Sequence, residues 1–477
     1  METMKTYDLI AIGTGSAMNI VEAILQNEPG KKVAVIDKDD PGGICLTRGC
    51  IPTKILVYPA EVMRSVEGAK ALGIDVHVKK VDFQVIMERM RAVLRRDIGD
   101  IRKGLSEAKN IDYYQGAAEF IAPYQLSVGG ETITSRMIFL CLGSKPLIPP
   151  IKGLDEVHYH TSDTILEIKK LPASLAILGG GYIAAEYGHF FSAMGTKVTI
   201  IGRNPQFLPG EEPEVSALAK KEMSKHMAIV TNHEVTEVQK SRKKSKRIIA
   251  LDRSTEQRRE FTSEEILVAA GRAPNTDILH PERGGINTDE KGWLVVDPYL
   301  QTSQANVWAL GDAIGKHLFK HVANYESKIV YTNAILGQKV KVDYHAVPHA
   351  VFTHPEIASV GMRQKEAVET SGEDGVLIGF QRYQNTAKGE AMGLKDYFSK
   401  VMVERDTNRL LGAHIIGPHA SMLIQEIITL MYSGDQSMRP ILAGMHIHPS
   451  LSEVVARSFT GLMAPQQYNH MLTHGRI

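Results

Sequence analysis

A chain of 477 residues, 43% hydrophobic and 23% charged, is longer than one hydrophobic core serves and implies two to four domains. Its formal charge of +1 gives no long-range field for nucleic acid or an anionic membrane, and no apolar run reaches the roughly 18 to 20 residues of a membrane span. Three cysteines are no disulfide framework; they point to a reducing, cytoplasmic compartment and reserve closely spaced cysteines for redox or metal chemistry.

The segment Met1–Tyr7 has neither the basic nor the apolar region of a secretory signal, and it runs straight into a strand. Residues 7–12 (YDLIAI) read as that buried strand, Gly13-Thr14-Gly15 as a tight turn into a helix, and residues 33–36 (VAVI) as the next strand. Strand, glycine turn, helix and strand form the unit that binds a dinucleotide: glycines let the backbone approach a pyrophosphate at the positive end of the helix. Asp37, 24 residues after Gly13, is placed to accept the ribose hydroxyls of an adenosine. Met18 stands where the unit has a small residue, which moves that helix outward or tilts it.

Residues 42–54 (GGICLTRGCIPTK) carry the chemistry. Four residues between Cys45 and Cys50 let the sulfurs meet if the chain turns near Gly49. A thiolate at a helix start has a depressed pKa; Pro52 suits a first helical turn, and Lys54 adds positive charge. A zinc site needs about four ligands, and no further cysteine or close histidine supplies them. Cys141, on a strand over 137–142, reads as an inert core residue.

The dinucleotide unit returns about 165 residues on: residues 175–178 (LAIL), Gly179-Gly180-Gly181, a helical stretch with Ala184 at the small position, and residues 198–201 (VTII). One G-x-G is a weak signal, whereas two with matching flanks imply two dinucleotide-binding domains. In the second copy Gly202 takes the place of Asp37, and Arg203 follows. No carboxylate is there to repel a 2′-phosphate and a guanidinium can pair with one, which favours NADP over NAD. Residues 240–247 (KSRKKSKR) read as an exposed hairpin or loop. From about Asp343 short strands (350–353, 398–403, 412–416) alternate with a helix over 421–433, a separate α+β domain. Residues 445–453 (MHIHPSLSE) place Glu453 five residues after His448, across a proline turn. Disulfide exchange needs a group that takes and returns a thiol proton near pH 7, which a carboxylate-oriented histidine supplies. His446 reads as structural.

GGICLTRGCIPTK resembles the redox-active segment of the class I pyridine nucleotide–disulfide oxidoreductases, and the resemblance covers essentially the whole chain. It extends to residues 302–312 (TSQANVWALGD), similar to the family's second flavin motif, and to residues 140–144 (LCLGS), where Leu142 replaces a threonine of the family's junction. The resemblance implies an α/β fold of two Rossmann-like domains plus a C-terminal α+β dimerisation domain. FAD falls to residues 1–150 with 273–342, NAD(P) to 151–272, and dimerisation to 343–477. It implies Cys45 as interchange thiol and Cys50 as the charge-transfer thiol against the flavin. It further places Lys54 with Glu186 at the flavin's reactive edge and His448 with Glu453 as the proton-handling pair. Gly13, Gly15, Asp37, Lys54, Gly143, Gly311 and Asp312 are then the expected FAD contacts, and Gly179, Gly181, Tyr182, Glu186, Arg203 and Gly271 the expected NAD(P) contacts. No metal is expected. The active site is shared across a C2 homodimer. Dihydrolipoamide dehydrogenase leads as the activity, with a lipoyl-bearing protein as partner. An NADPH-dependent reductase of a small-molecule disulfide is the alternative, and a flavin-binding interaction protein without turnover the remote one.

Overall fold

The structure is a computed structural model and describes residues 4–241 and 245–475. Of the basic run at 240–247, residues 242–244 lie outside the described residues; the flanking strands His233–Lys240 and Lys246–Asp252 pair antiparallel. In chain order the site-bearing elements begin with β1 (Leu9–Ile12), α1 (Ala17–Asn27), β2 (Val33–Asp37), α2 (Gly43–Thr47) and α3 (Cys50–Gly68). Next come α4 (Phe83–Glu107), β3 (Ile111–Gln115), β4 (Ile138–Leu140), β5 (His160–Thr161), β6 (Ser174–Leu178) and α5 (Tyr182–Ala193). They continue with β7 (Lys197–Ile201), β8 (Ala228–Val230), β9 (Glu265–Val268), β10 (Val307–Ala309) and α6 (Lys320–Ala334). The C-terminal part adds β11 (Pro348–Val351), β12 (Ile357–Gly361), β13 (Val376–Arg382), β14 (Phe398–Glu404), β15 (Leu410–Ile416) and α7 (Ser452–Ser458).

Two five-stranded parallel sheets share one plan. The first runs β10-β4-β1-β2-β3 and the second β5-β9-β6-β7-β8, so each glycine turn leaves the central strand of its sheet. Both central strands are apolar because each sheet is covered on both faces: Ile10 and Ala11 are fully buried, as is Ile177. Each of the two isoleucines contributes about 1.5–3 kcal/mol by leaving water. Helix α4 starts where the Asp82 side chain accepts the Val85 N–H at 3.2 Å. It buries one stripe (Phe83, Met87, Met90, Leu94, Leu105) and leaves its remaining faces mostly polar, with Val85 exposed.

The third sheet is antiparallel, β11-β12-β15-β14-β13. The expected strand over 350–353 ends instead at Val351, because the Phe352 N–H leaves the ladder and donates to Glu186 at 3.1 Å. The expected helix over 421–433 is two shorter ones, Ala420–Leu423 and Gln425–Met431.

Between the second parallel sheet and this third one lies a buried acid cluster. Glu211, Glu212 and Glu214 are 3%, 3% and 11% exposed. Their partners come from the C-terminal part. Glu211 meets His349 Nε2 at 2.7 Å and accepts from the Ser359 hydroxyl at 2.6 Å. Glu212 lies 3.4 Å from Lys400 Nζ, which also pairs with Glu214. No described helix is long and apolar enough to cross a membrane.

Candidate active site

Both glycine turns make the same close approach. Gly13 has φ +105° and Gly179 φ +138°; a Cβ on Gly13 would lie 2.2 Å from the Cys141 carbonyl oxygen, and one on Gly179 2.1 Å from that of Ala269. Each glycine donates its N–H to the end of the neighbouring strand, Gly13 to Ile36 O at 2.7 Å and Gly179 to Ile201 O at 2.9 Å. The first turn also meets α2: a Cβ on Gly43 would lie 2.7 Å from Gly15 Cα. At Met18's position in α1 the side chain is half-buried, while Ala17 beside it is fully buried. Gly13→Ala is expected to cost roughly 2–4 kcal/mol, since carbonyl contact and a positive φ both oppose it. The thermal unfolding midpoint and the flavin content of the purified variant check this.

Below the first turn opens a cavity of about 900 Å³. Of the predicted residues, Gly13, Gly15, Asp37, Cys45, Cys50 and Lys54 line it, together with Gly143, Tyr182, Glu186, Gly311 and Asp312. Gly179, Gly181, Arg203, Gly271, His448 and Glu453 lie outside its wall. Cys141, expected in the core, is half-buried and lines this cavity; burial pushes its thiol pKa up.

Cys45 sits in α2 and Cys50 is the first residue of α3, so the chain turns between them at Gly49, whose Cβ would stand 2.8 Å from the Ile44 carbonyl. Both are free thiols that hydrogen-bond to each other. The Cys45 thiol donates to Cys50 and, with help from Lys54 against the cost of burial, brings Cys50 down to about 6. Cys45 is pushed up by the same bond and keeps the proton. Lys54 Nζ donates to both Glu186 oxygens, at 2.9 and 2.8 Å, and lies 4.6 Å from the centre of the Phe352 ring. Glu186 is 4% exposed, so its carboxylate is compensated by that ammonium and the Phe352 N–H.

Two carboxylates of the cavity wall are oriented by neighbours that sequence motifs do not mark. Asp37 Oδ2 accepts from Thr14 N at 2.9 Å and Thr14 Oγ1 at 2.5 Å. Asp312 Oδ2 accepts from Ser144 Oγ at 2.5 Å, and Arg272 donates from Nε to the same hydroxyl at 2.5 Å. Burial raises Asp312, and it raises Glu326, 0% exposed, to about 7. Glu326 holds the Gly311–Asp312 turn by accepting the Gly311 N–H at 2.6 Å. Leu142 keeps a junction bond through its backbone, its carbonyl accepting from Asn275 Nδ2 at 2.9 Å.

His448 Nδ1 lies 3.2 Å from both Glu453 oxygens, and Glu453 also accepts from Arg457 Nη2 at 2.7 Å. The His448 bond, before Arg457, holds Glu453 below the usual carboxylate range. The His448 side chain is 67% exposed, beside bare Met445 and Ile447, and one chain alone does not bring it to its own cysteines. His446 pairs with Glu426 at 2.9 Å. In the second dinucleotide unit Gly202 packs on Gly180, a Cβ there lying 3.3 Å from Gly180 Cα. Arg203 is exposed, and Arg253 Nη1 donates to its carbonyl at 3.3 Å, a second cation that the sequence places 50 residues away.

Two matched nucleotide turns, the first opening on a cavity that also holds a thiol pair, define an oxidoreductase that moves electrons between a dinucleotide and sulfur. The chain belongs to the pyridine nucleotide-disulphide oxidoreductase family, whose profile matches residues 7–333, followed by the family's dimerisation domain over residues 347–459. It is 35% identical over 473 residues to mycothione reductase of Mycobacterium tuberculosis, covering 96% of this chain and 100% of the relative. It is 32% identical over 476 residues to dihydrolipoyl dehydrogenase of Synechocystis sp., covering 95% and 98%. Among solved structures, the Cu(II) complex of the HOCl-induced flavoprotein disulfide reductase RclA from Escherichia coli superposes with a TM-score of 0.84 at 28% identity, covering 95% of this chain and 99% of that one. The protein is thus an FAD- and NAD(P)H-dependent enzyme acting on sulfur, with a fold of parallel Rossmann-like sheets and a C-terminal dimerisation domain.

Proposed function

We propose that the protein is an NADPH-dependent reductase of a low-molecular-weight disulfide, acting as a C2 homodimer in the cytoplasm. One observation assigns the roles of the two sulfurs. Cys50 lines only the large cavity, whereas Cys45 also lines a second, smaller one of about 390 Å³. One sulfur thus faces the cofactor side and the other can face a substrate.

FAD, bound in the large cavity, supplies the two-electron relay between nicotinamide and sulfur. Gly13 and Gly15 would hold its phosphates, Asp37 its adenosine ribose and Asp312 its ribityl chain. Lys54 and Glu186, with Tyr182, fix the nicotinamide side. In the reduced pair Cys45 passes its proton to His448 of the partner subunit as its sulfur attacks the substrate disulfide, forming a mixed disulfide and displacing one thiolate. His448 of the partner subunit, held by its own Glu453, gives that leaving sulfur a proton. The Cys50 thiolate then attacks Cys45, releases the second thiol and closes the Cys45–Cys50 disulfide. Two electrons and one proton, delivered as a hydride equivalent from NADPH, reset the pair to the Cys45 thiol and Cys50 thiolate, and the proton consumed overall is the one taken up by the second product thiol.

The lean to NADPH rests on Gly202 in place of a carboxylate and on two arginines beside it, exposed Arg203 and Arg253, whose guanidinium donates to the Arg203 carbonyl. Arg203→Ala and Arg253→Ala are each expected to raise the Michaelis constant for NADPH roughly tenfold and to leave that for NADH nearly unchanged. Equal effects on both coenzymes would remove this assignment. Dihydrolipoyl dehydrogenase is the second reading, favoured by relatives of that name at about one-third identity over nearly the whole chain. One assay separates them. NADPH oxidation by small disulfides is expected to be fast and NAD+ reduction by dihydrolipoamide slow; the opposite ranking rejects the first reading.

A further inference from the structure

Away from the thiol pair, at the edge of the second parallel sheet, three metal-ligating side chains converge: His158, His160 on β5 and Glu265 at the start of β9. One donor atom from each lies within 4.8 Å of the others. The strands pair in parallel with His160 opposite Leu267, and that register, run back two residues, sets Glu265 level with His158. Tyr159, between the histidines, packs against the apolar cluster of Ala176, Ile248 and Ile266, so the two imidazoles fall on the other side of the chain. Their ring centres are 4.7 Å apart, edge to face.

His160 is 7% exposed, and a polar group so buried ordinarily has its hydrogen bonds made. Here Nδ1 is buried without a partner, and Nε2 stands 3.7 Å from Glu265 Oε2, beyond hydrogen-bond reach. Burial, with His158 next, pushes its pKa down, so near pH 7 the ring is neutral and offers a lone pair. Lys246 is the competing cation. Its ammonium pairs with Glu265 Oε2 and also donates to the Glu264 carbonyl at 2.6 Å, so it keeps a partner if the carboxylate turns. Glu265 Oε1 makes no hydrogen bond among the described residues.

We propose that His158, His160 and Glu265 bind a divalent cation of the zinc type, with a fourth position left to water. This departs from the sequence-based expectation of no metal. Two imidazoles and one carboxylate suit Zn(II), whereas Mg(II) and Ca(II) take oxygen ligands. Ligands of a tetrahedral zinc ion stand roughly 3.4 Å apart, and closing the cluster to that spacing asks about 1.4 Å at most, within reach of exposed His158 turning about its side-chain bonds. Sharing the carboxylate with Lys246 keeps the affinity in the micromolar range.

The test uses the full-length, FAD-loaded protein carrying Cys45→Ser and Cys50→Ser, which removes the thiol pair as a rival zinc ligand. After chelator treatment, zinc chloride is titrated calorimetrically, with magnesium chloride as the control. One Zn(II) per chain is expected to bind, and Mg(II) is not. His158→Ala, at an exposed position that leaves the core intact, should weaken zinc binding roughly tenfold or more. His160→Ala should do the same, its unfolding midpoint without metal reporting whether it folds. Lys246→Met, which releases the carboxylate from its ammonium, should tighten binding several-fold. Absence of zinc binding tighter than roughly 100 µM overturns the inference, as does binding that His158→Ala leaves within about twofold. Failure of Lys246→Met to tighten binding removes Glu265 and overturns the three-ligand site.

Discussion

Cys45→Ser is expected to abolish disulfide reduction, by about 10⁴-fold or more, while leaving the reduced enzyme with a long-wavelength thiolate–flavin absorption band. Cys50→Ser is expected to lose both. The asymmetry follows from the geometry: Cys50 is the thiol brought down to about 6, it opens the helix α3, and it faces only the large cavity. A serine at position 45 can still donate the hydrogen bond that chiefly stabilises the Cys50 thiolate. In the reduced enzyme with both cysteines the band should be present at pH 7 and disappear as the pH falls through about 6, because protonation removes the thiolate donor. Absorbance titration of the reduced enzyme measures this directly. A band that survives in Cys50→Ser and is lost in Cys45→Ser would exchange the roles of the two sulfurs.

His448→Ala is expected to lower turnover with a disulfide by roughly two to four orders of magnitude, the usual loss for a positioned general acid–base. Flavin reduction by NADPH should be nearly unchanged, since no part of His448 lines the large cavity of its own chain. Rapid-mixing measurement of the two half-reactions separates them. Because the histidine is proposed to serve the other subunit, mixing His448→Ala with Cys45→Ser protein should give heterodimers with one intact site. Recovery of activity on mixing supports the shared site; two inactive variants that stay inactive after verified exchange of subunits argue against it.

Much of the fold was legible because its constraints are local. A glycine whose Cβ would strike a carbonyl must recur wherever a strand turns into a dinucleotide-binding helix, so Gly13 and Gly179 announce two sheets of one plan. Cys45 and Cys50 lie within one short segment, and His448 and Glu453 within another, so each couple could be read as a pair. The rest of the site depends on contacts between distant segments. Nothing near Arg272 in sequence tells that it braces Ser144 and Asp312, 128 residues from one and 40 from the other. Arg253 reaches Arg203 only because a hairpin folds back beside the second nucleotide turn. Glu326 reads as one polar residue in a helix until the fold buries it under Gly311. Strand β11 stops early for the same kind of reason: Glu186, on a helix 166 residues before, claims the next N–H.

The cluster of Glu211, Glu212 and Glu214 makes the chain indivisible. A version cut before Asp343 would leave these three carboxylates without His349, Ser359 and Lys400, their partners across the seam. Stranding one member of a buried ionic pair costs about 3–5 kcal/mol, and a whole domain commonly has only about 5–15 kcal/mol in reserve. The nucleotide-binding portion is therefore not a portable module: excised, it should be insoluble or partly unfolded even with its glycine turns and cysteines intact. Any lineage that borrowed the nucleotide fold without the C-terminal sheet would have had to discharge those acids first.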